Sequence, residues 1–385
     1  MSEKLTMPTL TIAFQQRARS TVARSQKGTV ALLLRDAGTA GQSWALASPG
    51  QIPEKLGVEN QNAVRRVFKG GVNPPKKVLI YCLGAEDTLN AEPAAQAEGG
   101  EEPPVQAQPG SGAAALKWLA TQKFDYLAGP ADLSEAEAAV LKEWIIRQRE
   151  DNRAIYKAVL PGCAADNEGV VNFTASGIQA AGDVFDAAAY CGRIAGLIAG
   201  TPMTQSVTYS VLAEVEDVDR LGGAGEDAAV GRGELILTHD GEKVKLGRGV
   251  NSLTSLGERP RIWQKIKIVE VLDMIQQDLR LSIQDNYMGK FQNSYDNKLL
   301  LITAVKLYLQ ALAKDQLIEQ DFTCDIDVDE QDRWLQSQGV ATADMTERQI
   351  RELEAFIPGP GPHAHRRHRG RACKNLSVRR DSHGI

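Results

Sequence analysis

The sequence predicts a parallel-sheet α/β domain followed by a smaller α+β domain, the two flanked by extended terminal arms. Three observations carry this. Between residues 27 and 162, near-continuous apolar runs of strand length alternate with helical stretches, as in a parallel sheet with helices on both faces. Beyond residue 257 the pattern becomes two long amphipathic helical stretches and then a short alternating segment. Ahead of both, Thr9 to Phe14 alternates with a period of two and is followed by a polar, basic stretch. The expected organisation is an amino-terminal arm over 1–26, an α/β domain over 27–256 with a flexible loop at 86–112, a carboxy-terminal domain over 257–352, and a basic tail over 353–385.

The arm comes first. Leu10, Ile12 and Phe14 fall on one side of an extended segment, and Thr9, Thr11 and Ala13 on the other. A lone strand cannot satisfy its own backbone groups, so it pairs with its own body or with another chain. GTVALLL (28–34) and KKVLIYCLG (76–84) read as buried strands, with a helix at 60–69 between them. Residues 86–112 are rich in Ala, Glu, Pro and Gly and read as an exposed loop. Residues 113–122 are helical, and 124–130 are strand plus turn. Ser134 caps a helix to about Asp151, with Glu137 completing a capping box. RAIYKAVLPG (153–162) is the next strand.

Residues 181–200 read as one helix with Gly192, Gly196 and Gly200 at four-residue spacing. That spacing makes a ridge on which another backbone can approach closely; the stretch is too short for a membrane dimer. Residues 201–212 read as extended, 217–233 as loop, and 234–255 as a hairpin about Asp240-Gly241. Ile268, Leu272, Ile275, Leu279 and Ile283 define the apolar face of the first carboxy-terminal helix. Leu301, Val305, Tyr308 and Leu312 define the inward face of the second. Residues 321–330 read as a strand with Phe322, Cys324, Ile326 and Val328 alternating against Asp325, Asp327 and Asp329. Two short helices follow.

Composition narrows the function. The chain has 385 residues, 43% of them hydrophobic, enough for two or more cores. Its longest apolar run is far short of the roughly 18–20 residues of a membrane helix, so no membrane insertion is expected. MSEKLTMPTL lacks an apolar signal core, and production in the cytoplasm follows. Cys82, Cys163, Cys191, Cys324 and Cys373 are scattered, without a CxxC; neither a disulfide framework nor a zinc site is expected. Net charge is −5, yet residues 356–385 carry a net +6, which leaves the rest at −11. An acidic body disfavours direct nucleic-acid contact.

The sequence carries none of the common catalytic or nucleotide-binding motifs. There is no GxxxxGK[ST], and no GxGxxG lies between a strand and a helix. No GxSxG occurs, and His239, outside the tail, sits at the Asp240-Gly241 turn. The aspartates of 321–329 lack the glycine and terminal glutamate of a calcium loop. No catalytic residue, cofactor or metal site is assigned. The alternatives kept open are an α/β enzyme, a hydrolase or nucleotide-dependent, with an unrecognised site, and a soluble binding module.

Several segments, in order, resemble the contractile tail sheath proteins of phages. WQKIKIVEVLDMIQQDLR (263–280) with DNYMGKFQNSYDNK (285–298) is similar to the family's helix and turn. AAYCGRIAGLIAGTPMTQSVTYSVL (188–212) and GRGVNSLTS (247–255) are similar to two further segments. The resemblance covers about residues 8–352 and is nearest to the compact sheaths of prophages and headless tail-like particles. It implies a non-catalytic α/β domain of subtilisin-like topology followed by the α+β sheath domain. It also implies hexameric rings stacked as a helical sheath around an inner tail tube, with baseplate and tail terminator proteins as partners. Contraction would drive the tube through a cell envelope, and the protein would sit in a virion tail or tail-like particle. Terminal arms would add strands to neighbouring subunits; here the arm is Thr9–Phe14, and its receiver is the sheet containing Phe322, Cys324, Ile326 and Val328.

The tail departs from that family. Pro and Gly at 358–362 exclude a strand there. Arg366 to Arg371 can be encoded so that a shift of one base reads Asp-Ala-Ile-Glu-Asp, the segment the family carries at that place. We read the tail as the product of a frameshift near residues 352–357, a hypothesis the DNA decides; a disordered basic tail that binds an acidic surface is the other reading.

Overall fold

The computed structural model describes Val22, Arg24, residues 27–89, Gln108, and residues 110–291, 294–337, 339–352 and 376–377. It divides into two compact units, Ser25–Gln277 and a second made of Met1–Arg24 with Asp278–Ile385.

The first unit begins with β1 (Thr29–Arg35), β2 (Ser43–Leu46), α1 (Val58–Phe68) and β3 (Lys77–Leu83). Next come α2 (Gly112–Thr121), β4 (Tyr126–Ala128), α3 (Glu135–Glu150), β5 (Lys157–Pro161) and β6 (Val170–Phe173). A tight hairpin, β7 (Ile178–Ala180) and β8 (Asp183–Phe185), leads into α4 (Ala187–Gly200). β9 (Val215–Asp217), α5 (Gly223–Gly231), β10 (Glu234–Leu235), β11 (Leu237–His239) and β12 (Val244–Leu246) complete it, with the first part of α6 (Ile266–Asn286). The seven-stranded sheet has the order β10-β6-β5-β4-β1-β3-β2. Its pairs are parallel except β2–β3. The parallel strands therefore follow the doubly wound, flavodoxin-like order, with the chain crossing over between β1 and β4.

Alternation along β1 builds two cores. Val30, Leu32 and Leu34 point into one with residues of α1 and α4. Ala31 and Leu33 point into the other with residues of α2 and α3. A strand covered on both faces must be apolar throughout, which is why 28–34 reads as a continuous run. Ser134 accepts the Glu137 N–H, and the Glu137 side chain returns to the Ser134 N–H. Ser134→Ala is expected to cost about 1 kcal/mol of unfolding free energy in a urea titration.

Some expected elements change. Residues 181–200 are not one helix: Ala181 and Gly182, at φ 55 and 85, turn the β7–β8 hairpin, and Asp186 caps α4 by accepting the Ala189 N–H. Residues 217–233 are not wholly loop. Their Ala-containing centre forms α5, held by buried Ala229 and by Glu226, which accepts the Thr238 hydroxyl at 2.6 Å. Residues 234–235 leave the hairpin and extend the main sheet beside β6.

The second unit holds the end of α6, then α7 (Tyr295–Lys314), β13 (Asp325–Ile326), α8 (Val328–Ser337), α9 (Glu347–Glu352) and β14 (Leu376–Ser377). Ser294 caps α7, which buries Val305, Tyr308 and Leu312 as its spacing predicts, while Leu301 is half-buried. No helix among the described residues is long and apolar enough to cross a membrane.

Candidate assembly site

Open α/β sheets take ligands beyond the carboxyl ends of their strands, where strand order reverses. Here that crevice lies between β1 and β4, and internal side chains fill it. Arg35 ends β1. Its guanidinium donates to Asp132 Oδ1 at 2.5 Å, to Glu137 Oε1, and to the Asp87 carbonyl at 3.2 Å. Glu137 also accepts the Leu89 N–H at 3.0 Å and the Ser134 hydroxyl at 2.8 Å. Burial pushes the Glu137 carboxyl up, but these N–H groups, the hydroxyl and Arg35 together hold it below its ordinary value. Asp36 is similarly spent, accepting the N–H groups of Gly38 and Gly57 and the Asn60 amide.

The opposite, amino-terminal edge of the sheet receives α6. Lys27 Nζ lies 2.6 Å from Glu270 Oε2, and the Tyr126 hydroxyl donates to Glu270 Oε1 at 3.0 Å. Arg149 grips Asp273 through two 3.0 Å bonds, and Lys157 Nζ lies 3.0 Å from the same carboxylate. A cavity of about 210 Å³ adjoins these groups. Burial pushes Asp273 up, but Lys157 and Arg149 outweigh it and hold the carboxyl below 3.8. Burial, then the Glu270 charge, pushes the Tyr126 phenol well up.

This docking reverses the expected face of α6. In the first unit's part of α6, Glu270, Asp273 and Gln277 are buried together with Ile266, Val269, Val271 and Met274; in the second unit's part, Asp278 and Ser282 are buried. Ile268, Leu272, Ile275, Leu279 and Ile283 are only half-buried. The sheet edge presents cations, and a buried cation requires a carboxylate.

The segment leading into α6 is also fastened. Asp166, at φ 48, accepts the Ser255 N–H at 2.7 Å, the Thr254 N–H at 2.6 Å and the Thr254 hydroxyl at 3.0 Å. The Ser255 and Thr254 N–H groups hold its carboxyl well below the usual range. Asn251 donates to the Trp263 carbonyl at 2.8 Å. These are the residues of the NSLTS segment singled out in the sequence. His239 is the last residue of β11, opposite Val244, and its Nδ1 accepts the Gly241 N–H of the turn at 2.9 Å.

In the second unit Tyr308 donates to buried Asp278 at 2.7 Å. The chain just beyond the arm is anchored here: Val22 is buried, and Arg24 lies 2.7 Å from Asp315, which follows α7. Thr9, Leu10, Thr11, Ile12, Ala13 and Phe14 lie outside the described residues. Of the expected receiving strand, Cys324 and Ile326 are buried, and Phe322 and Val328 are half-buried. The strand itself is shorter than expected. It ends at Ile326, because Asp327 accepts the Glu330 N–H at 3.0 Å and opens α8 at Val328. The Asp327-x-x-Glu330 spacing is a helix-start signal that the alternation obscured. β13 pairs antiparallel with β14, Asp325 opposite Ser377 and Ile326 opposite Leu376. The tail thus supplies a short strand beyond its Pro-Gly segment. Cys82, Cys163, Cys191 and Cys324 are free thiols, and no metal-holding cluster occurs among the described residues.

Comparison with known proteins decides what this body is. Residues 107–265 match the phage tail sheath protein central domain, and residues 258–347 the phage tail sheath C-terminal domain. Over 356 residues the chain is 36% identical to the tail sheath protein of Clostridium phage phiCD119, covering 91% of this chain and 92% of that protein. The chain belongs to the phage tail sheath protein family. It is a structural sheath subunit, and the tail of a virion is the setting the relationship implies. The fold agrees. The sheath tail protein of Desulfitobacterium hafniense superposes with a TM-score of 0.62 at 19% identity, covering 85% of this chain and 93% of that one. The contracted helical sheath of the anti-feeding prophage gives 0.60 at 16% identity, covering 84% and 89%. The sheath subunit shares with them a mixed α/β body built on a parallel-rich sheet.

Proposed function

We propose that this sheath subunit polymerises as stacked hexameric rings around an inner tail tube and that contraction of the lattice drives the tube through a cell envelope. The observation that carries this reading is the match along nearly the whole chain to a phage tail sheath protein. Baseplate and tail terminator proteins are its further partners, and the host bacterial cytoplasm is where it is made. The body acts without catalysis. Support comes from the crevice between β1 and β4, whose charges Arg35, Asp132 and Glu137 already satisfy. The subtilisin-like topology expected from the family resemblance would concern layers, not chemistry. Domain boundaries follow the same reading, with the sheath domains at 27–256 and 257–352.

A lattice that shortens by rigid-body movement needs subunits that stay folded and connected while contacts change. Ion pairs at both sheet edges serve the first need. The arm, Thr9–Phe14, serves the second by pairing with the sheet of a neighbouring copy near β13. From Val22 back to Phe14 the chain can span roughly 26–29 Å when extended, enough to leave its own body. Removal of residues 1–14 is expected to leave the melting temperature unchanged and to abolish high-mass species in sedimentation velocity. A truncated chain that assembles like its parent contradicts the arm's role.

A further inference from the structure

The surface of the first unit carries a single-sign stretch of sequence. Residues 65–77 contain Arg65, Arg66, Lys69, Lys76 and Lys77 and no carboxylate. α1 buries Val64, Val67 and Phe68 and turns Asn62, Arg65 and Lys69 to solvent. Among the described residues Arg65 donates to neutral side-chain oxygens, Asn62 Oδ1 at 2.9 Å and Gln61 Oε1 at 3.1 Å. The Arg66 guanidinium lies over the Phe185 ring, 4.6 Å from its centroid, and its buried Nε has no acceptor among the described residues. Burial lowers the Arg66 pKa, and the nearby Tyr190, Glu59 and Asp183 only partly offset it. A half-buried guanidinium with no carboxylate hydrogen-bonded to it among the described residues is costly to keep. Val58 and Val72, 71% and 58% exposed, extend the same face at its two ends.

The second unit carries the opposite. Residues 315–332 contain eight carboxylates and no basic residue. Three of those carboxylates pair internally, Asp315 with Arg24, Asp325 with Arg351 and Glu330 with Arg333. Glu319, Asp321 and Asp329 are exposed and make no ion pair among the described residues.

We propose that the basic outer face of α1 binds the acidic 315–332 surface of a second copy of this chain. This deepens the sheath reading by naming one subunit contact, and it rests on that reading. Two complementary patches on different surfaces of one chain make a head-to-tail contact. Such contacts close into rings or run on as open helices, unlike the self-matched patch of a two-fold dimer. Each exposed pair contributes little on its own, but several together set orientation and association rate.

The test uses the full chain, an equal mixture of isotope-labelled and unlabelled protein at low salt, treated with a zero-length carbodiimide cross-linker. Interchain cross-links from Lys69 to Glu319, Asp321 or Asp329 are expected, and their loss near 1 M salt, where the Debye length falls to about 3 Å. In sedimentation, Arg65→Glu with Lys69→Glu should weaken self-association about tenfold, Asp321→Lys with Asp329→Lys likewise, and all four together should restore it. These positions are exposed, so melting temperatures should not move. Absent cross-links, unchanged self-association, or a fourfold variant that fails to recover would overturn the contact. So would reversals that abolish only duplex DNA binding. A parent chain that forms tubes while the reversals change nothing sinks this contact and leaves the sheath reading standing.

Discussion

Asp273→Ala is expected to destabilise the first unit by about 3 kcal/mol, on the order of 10 °C in melting temperature. The carboxylate is 5% exposed and is shared by two cations. Arg149 would keep Glu168 at 3.6 Å. Lys157, 4% exposed, would keep the Ile155 carbonyl at 3.2 Å and the face of the Tyr126 ring, 5.3 Å from its centroid, but no carboxylate bonded to it among the described residues. The cost is therefore mainly that of a buried ammonium left without its counter-charge. Lys157→Met in the Asp273→Ala background should recover part of the loss, because removing both charges relieves what removing one creates. The pH dependence has a definite sign. Asp273 is held below 3.8 in the folded protein, so its contribution is complete above the unfolded value and fades as pH falls through the folded one. Urea titrations below about pH 4 should show the parent and Asp273→Ala converging. A gap that persists there would mean the ion pairs do not hold α6.

Gly196→Ala is expected to cost about 3 kcal/mol, although alanine is the better helix former. A Cβ at Gly196 would stand 2.1 Å from the Val67 carbonyl oxygen and 2.9 Å from its carbon. Those are backbone atoms of α1, so the helices must separate. Gain in helix propensity is at most about 1 kcal/mol, whereas overpacking costs about 1–3 kcal/mol and sometimes more. Gly200→Ala should behave alike, with the Asn73 carbonyl oxygen at 1.9 Å. Gly192→Ala is the control. Its nearest neighbours are the Leu32 Cδ1 and Val67 Cγ2 methyls at 3.2 and 3.3 Å, which can yield by a few tenths of an ångström. Differential scanning calorimetry should rank Gly192→Ala far milder than the other two. Equal effects at all three would remove the close approach of α1 and α4 as the reason for the ridge.

The same ridge shows what a sequence can carry. Four-residue glycine spacing encodes a local fact, the absence of side chains on one helical stripe, and the α1–α4 contact follows from it. The apolar runs of β1 and β3 encode burial on both faces, and Ser134 with Glu137 encodes its cap. These features are written in neighbouring residues. The face of α6 is not. Ile268, Leu272, Ile275, Leu279 and Ile283 form the expected apolar stripe, yet Glu270 and Asp273 are buried beside Val269, Val271 and Met274 while that stripe is only half-buried, because Lys27, Arg149 and Lys157 await the two carboxylates. Those partners lie more than 100 residues away in sequence, and periodicity does not register them. The strand at 321–330 failed differently: alternation and a helix cap competed for Asp327, and the cap prevailed. Arg35 was invisible as a plug because its partners, Asp132 and Glu137, meet it only once β1 and β4 are paired.

Assembly, finally, is visible directly. Electron microscopy of the concentrated protein, as it stands and as a restored chain that carries the proposed one-base-shifted reading after residues 352–357, tests whether this body builds a sheath. Hollow tubes of uniform diameter from the restored chain, weakened or absent in the other, are the predicted result. A restored chain that stays a solitary particle at high concentration, with residues 9–14 folded onto their own molecule, would contradict it.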